Sequence, residues 1–140
     1  MPTSAALSDI GRVIQLSVAP VFLITGIGSL LSVLSGRLGR TIDRSRALHA
    51  MPSNDETVTE LTVLSVRAKL IYRAMTLATI SALLVSCVII TLFLSAFETF
   101  PIGAVIAVLF AAAVIALIGA LLLFLREVFL ATRALRIHPR

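Results

Sequence analysis

Tryptophan is absent, tyrosine and cysteine occur once each, and only 14% of the 140 residues are charged. So little charge excludes an ordinary soluble domain, which is roughly a quarter charged and about half apolar. Here 59% of residues are hydrophobic and the mean hydropathy is +1.07. No compact globule of this length hides that much apolar surface from water, so the solvent is a membrane. Cys87, alone in an apolar run, cannot form an intrachain disulfide, and its simplest role is a small lipid- or helix-facing side chain. Histidine is scarce too, and His49 and His138 have no second metal ligand at useful spacing. Asp9 and Glu98 stand far apart in the chain, which does not suit an acid/base pair. Gly26 and Gly28 follow no strand and precede no lysine, which excludes a phosphate loop. Neither an enzyme, a metal or cofactor, nor a nucleic-acid partner is expected.

What is present is apolar sequence in long runs. Val13 to Gly36, Met75 to Phe97 and Ile102 to Leu125 carry no ionisable side chain apart from the one thiol, each for at least the ~20 residues a helix needs to cross hydrocarbon. Three spans follow. The start, MPTSAALSDIGR, has Asp9 and a single basic residue before the apolar stretch, unlike a cleavable signal peptide, so the first span is expected to be retained. Neither end shows a lipidation motif. Glu98, Thr99, Phe100 and Pro101 allow only a tight turn between the second and third spans, with Pro101 at the start of the third helix, where a missing N–H costs nothing. Pro20 removes a backbone bond and should kink or restart the first helix, leaving Leu7 to Ala19 partly interfacial. Gln15 in that stretch is then either interfacial or a polar tie between helices.

Orientation follows from where Lys and Arg concentrate. Of the 12 such residues, only Arg12 lies at the amino-terminal end of the first span. Arg37, Arg40, Arg44, Arg46, Arg67, Lys69 and Arg73 fill the first loop, and Arg126, Arg133, Arg136 and Arg140 fill the tail. Loop and tail are therefore expected in the cytoplasm, with the amino terminus outside.

The first loop reads as helix. Arg40, Asp43 and Arg46 stand at the spacing where helical side chains meet, which makes Asp43 a local partner for the arginines around it. The chain breaks at Met51 and Pro52, and Ser53 or Asn54 can cap a new helix whose first turn holds Asp55 and Glu56. Leu61, Leu64, Ala68, Ile71 and Met75 then alternate steps of three and four, the seam of a helical hairpin or, in a second reading, of a coiled coil between subunits. The fold expected is an all-α integral membrane protein of one domain, residues 1–140, with three transmembrane helices. Its spans cover about 13–36, 75–97 and 102–125, with a cytoplasmic helical hairpin over 37–74 and a tail over 126–140.

Two faces of the first helix carry chemistry. At 100° per residue, Thr25, Gly28, Ser29, Ser32, Ser35, Gly36 and Gly39 form one stripe, continued by Asp43 and Arg46. Small residues let helix backbones approach closely in lipid, and the same stripe could line a hydrated path where several subunits surround an axis. Arg37, Arg40 and Arg44 occupy another face, roughly 120° away. They suit anionic headgroups, with a ring at a pore mouth as the second reading. The third span, with Ala, Leu, Gly103 and Gly119, reads as lipid-facing packing material.

The segments LSVAPVFLITGIGSLL, LSGRLGRTIDRSRAL and ELTVLSVRAKLIYRAM, with a short acidic turn between the last two, resemble small bacterial inner-membrane proteins of the domain of unknown function 2721 family. The resemblance covers nearly the whole chain, and its most specific part is the run Arg37, Arg40, Asp43, Arg44 and Arg46. It implies a multi-span bacterial inner-membrane protein and supplies no activity. Two functions stay open: a homo-oligomeric ion channel lined by the first helix, and a non-conducting structural or regulatory protein binding partners or anionic lipid through its basic hairpin.

Overall fold

A computed structural model describes residues 4–52, 54–95 and 102–136. They form three helices, α1 (Ser4–His49), α2 (Asp55–Leu94) and α3 (Gly103–Arg136), with no strand among the described residues. Each is long and apolar enough to cross a membrane. Their 46, 40 and 34 residues correspond to roughly 50–70 Å at about 1.5 Å per residue. All three outrun a ~30 Å hydrocarbon layer. Bulky apolar side chains such as Phe22, Leu83, Val108, Ile115 and Phe129 point outward, where only lipid suits them.

The local reasons for helix are simple. No Pro or Gly interrupts α2. In hydrocarbon a backbone must satisfy its own polar groups, so β-branched residues stay helical. Ser and Thr hydroxyls donate to carbonyls one turn back, as in Ser17 to Val13 and Thr79 to Met75, and so leave no open polar group. α1 runs unbroken through Pro20, contrary to the restart expected from the sequence, and Leu7 to Ala19 continue the same helix. Pro20 is buried on the face turned to the bundle, where packing against a neighbour holds the helix across the single donor the ring removes. α1 closes through Met51 N–H donating to the Leu48 carbonyl at 3.1 Å. Asn54 caps α2 in an extended conformation but makes no side-chain cap bond, so Asp55 and Glu56 in the first turn favour that end by charge. Ser53 and the Glu98 to Pro101 turn lie outside the described residues, and α3 begins at Gly103.

Packing follows a seven-residue repeat. Val13, Pro20, Ile27, Leu34, Thr41 and Leu48 are buried on α1, Leu64, Ile71, Ala78 and Val85 on α2, and Ala113, Ala120 and Glu127 on α3. A strict repeat of seven keeps one seam facing the partner in a left-handed supercoil. Along the seam read from sequence, Leu64 and Ile71 are buried and Leu61, Ala68 and Met75 half-buried. α2 is the central helix, packed on both α1 and α3, whereas the α1 and α3 backbones come close at few places among the described residues.

Small residues set the α2–α3 distance. Ala74, Ala78, Ala113 and Ala120 are fully buried, and a Cβ added at Gly119 would stand 3.1 Å from Leu77 Cδ1. Gly119 thus faces α2 and makes room for the Leu77 side chain, where the sequence reads lipid-facing packing material. The Ser81 hydroxyl donates across the seam to the Ala113 carbonyl at 2.8 Å, fully buried. Interhelical bonds of this kind contribute about 0.6 kcal/mol on average. Ser81→Ala is therefore expected to lower unfolding stability by about that amount in a mixed-micelle SDS titration, with helix content unchanged.

Candidate functional site

The chemistry of the described residues is concentrated where the three helices leave their apolar stretches. Glu127, on the buried repeat of α3, has a side chain with no exposed surface. A carboxylate there must be paired, because removing an unpaired charge from water costs several kcal/mol. Arg37 from α1 donates through Nε to Glu127 Oε2 at 2.8 Å, with Nη2 at 2.7 Å from the same oxygen. From α2, Arg67 donates to Oε1 through Nε at 3.0 Å and Nη2 at 2.9 Å. Each carboxylate oxygen takes one guanidinium, so a single acid ties all three helices. The Arg37 guanidinium also lies over the Phe124 ring of α3, 5.5 Å from its centre, within range of a cation–π contact. Arg37 thereby meets α3 at both Glu127 and Phe124.

The sequence groups Arg37 with Arg40 and Arg44 on one headgroup-facing surface. Their side chains meet different surroundings. Arg37 turns toward the bundle interior, while Arg44 forks onto Glu60 of α2, with Nε to Oε1 at 2.7 Å and Nη2 to Oε2 at 3.1 Å. Arg40 is exposed. Asp43 and Arg46 are exposed as well, and Asp43 forms no ion pair with the arginines around it among the described residues. Its carboxylate stands in solvent, while Glu60 and Glu127 from other helices take the arginines. Glu127 and Arg67 are the site residues that the sequence reading missed. For Glu127 the signal was available: it falls seven residues after Ala120, and fourteen after Ala113, on the stripe that becomes buried.

The small-residue stripe faces the other way. Thr25, Gly28, Ser29, Ser32, Ser35, Gly36 and Gly39 are all exposed. Thr25, Ser32 and Gly39 precede the buried Ile27, Leu34 and Thr41 by two residues, about 200° around the helix. A Cβ built at Gly26, Gly28, Gly36 or Gly39 meets nothing within 4 Å, so the stripe is not packed within its own subunit. Thr25 and Ser29 hydroxyls donate to the carbonyls of Val21 and Thr25, both at 3.2 Å.

The remaining candidates are dispersed. A groove of about 330 Å³ on the hairpin is lined by Arg46 and His49 of α1 and Leu64 and Ser65 of α2, among others. In it His49 Nδ1 lies 2.8 Å from the Ser45 carbonyl. Cys87 and Gln15 are exposed. No group of three or more His, Cys, Asp or Glu suited to a metal ion occurs among the described residues.

No curated protein and no solved structure matches the chain. A family model described as protein of unknown function (DUF2721) matches residues 17–137, a stretch holding the whole small-residue stripe and the clamp formed by Arg37, Arg67 and Glu127, and the chain belongs to that family.

Proposed function

We propose that this protein is the subunit of a homo-oligomeric ion channel in the bacterial inner membrane, with its amino terminus outside and the α1–α2 hairpin and tail in the cytoplasm. The observation that supports this reading is the outward stripe on α1. A strip of Gly and Ser gains little from lipid, but it lets the backbone of another helix approach closely. Copies meeting through this face would surround an axis with hydroxyls and backbone. Arg46 and Asp43, on the continuation of the stripe, would stand at the cytoplasmic mouth. Because hydroxyls discriminate weakly between ions, charge at that mouth would set selectivity, and the surplus of arginine favours anions.

Planar-bilayer recording tests the reading. Purified protein is expected to show unitary currents that Ser32→Leu abolishes, with a reversal potential that shifts toward cation selectivity in Arg46→Glu. Mass photometry should show Ser32→Leu and Gly36→Leu reducing the oligomer. A silent wild type under voltage, tension and pH steps would favour the second reading, a non-conducting protein that binds partners or anionic lipid. Exposed Arg40, Arg46, Lys69 and Arg73 along the hairpin support that alternative.

A further inference from the structure

Two cations and one anion make an unbalanced group. Glu127 neutralises only one of Arg37 and Arg67, yet both guanidiniums stand against the same carboxylate. Each guanidinium has five N–H donors and spends only its Nε and Nη2 on Glu127. Among the described residues, no other oxygen accepts from either one. The unused nitrogens are not sealed in the core, because among the described residues no buried side-chain nitrogen or oxygen is without a partner. Arg37 and Arg67 side chains are 24% and 21% exposed. The clamp therefore presents one surplus positive charge and open guanidinium donors to its surroundings.

Position narrows what can answer them. Arg37 directly follows the first apolar run, which ends at Gly36, and Glu127 lies two residues past the end of the third at Leu125. In a membrane Arg37 and Glu127 stand at the edge of the hydrocarbon, within reach of the headgroup phosphates, and Arg67 meets them from eight residues outside the second apolar run. Guanidinium matches phosphate oxygens with paired, charge-assisted bonds, and here the rotamers are already fixed by Glu127 and, for Arg37, by the Phe124 ring. A preorganised fork loses less entropy on binding than a free surface arginine.

We propose that Arg37 and Arg67, held in place by Glu127, form a binding site for the phosphate of an anionic lipid headgroup. Glu127 is a positioning residue and does not touch the lipid. The site rests on the membrane placement of the helices and is independent of assembly through α1 and of conduction.

Native mass spectrometry of the detergent-purified full chain, titrated with phosphatidylglycerol, phosphatidylcholine or inorganic phosphate, tests it. Phosphatidylglycerol is expected to bind in preference to phosphatidylcholine. Arg37→Gln and Arg67→Gln should each weaken binding roughly tenfold, as loss of a charge-assisted hydrogen bond predicts, and clearly more than Arg40→Gln at an exposed position. The double variant Arg37→Lys with Arg67→Lys keeps the charge and a partner for Glu127, and is expected to lose binding almost as strongly because an ammonium cannot form the fork. It carries the test if a Gln variant does not fold, with helix content from circular dichroism as the check. Displacement of lipid by millimolar inorganic phosphate would assign the same fork to free phosphate, and no displacement assigns it to the lipid. Wild-type affinity in the double lysine variant, or a Gln effect no larger than that of Arg40→Gln, would overturn the proposal.

Discussion

Glu127→Ala is expected to lower unfolding stability by about 3–5 kcal/mol, the range for removing one partner of a buried ion pair. The acid has no exposed surface and accepts from two guanidiniums on different helices, so its loss leaves Arg37 and Arg67 facing each other without the carboxylate that holds them together. An SDS titration in mixed micelles reads the effect. Disruption should begin between α1 and α3, since the backbones of those helices come close at few places among the described residues and Arg37 with Glu127 is a polar tie between them. Cysteine cross-linking between α1 and α3 should therefore broaden in Glu127→Ala, while α2–α3 cross-links near Ser81 persist. Exchanging charges between Arg37 and Glu127 should fail to rescue, because an arginine at 127 would confront Arg67. That failure separates a shared acid from an isolated pair. A stability change under 1 kcal/mol would show that solvent reaches the clamp far more than its burial indicates.

The helical architecture was legible because three ion-free runs of about 20 residues or more leave few alternatives in a bilayer. The hairpin seam at Leu64 and Ile71 was legible for a similar local reason, its steps of three and four. The restart allowed at Pro20 did not occur, because the cost of a helix-interior proline is defined for an isolated helix, whereas this ring lies in a packed seam. The clamp was hidden for a different reason. Arg37, Arg40 and Arg44 share one helical surface by rotation, but what each meets is decided by the register of other helices. Arg37 reaches Glu127, ninety positions away in the chain, while Arg44 reaches Glu60, sixteen away. Rotation about one axis cannot tell these apart. The seven-residue repeat that places Glu127 beside Ala113 and Ala120 could have done so, because an acid on a buried stripe demands cations from whichever helices face it.

The two small-residue surfaces of this protein should respond to enlargement in opposite ways. Ala113 is fully buried in the α2–α3 seam beside Ala78 and Val85, and its carbonyl accepts the Ser81 hydroxyl. Leucine there has no room to enter without pushing α3 off α2. Ala113→Leu is expected to cost about 1–3 kcal/mol from overpacking, with a further ~0.6 kcal/mol if the Ser81 bond is lost, read by the same SDS titration. Ser32, on the far side of α1, is exposed in the single subunit, so Ser32→Leu should leave unfolding of the subunit within about 0.5 kcal/mol of wild type, as for a surface substitution. Mass photometry completes the contrast, since Ser32→Leu should shift the particle mass while Ala113→Leu at sub-denaturing conditions should not. Should Ser32→Leu destabilise the subunit as much as Ala113→Leu does, the outer face of α1 would have to be buried within the chain. Such a result would contradict both its exposure and the assembly proposed through it.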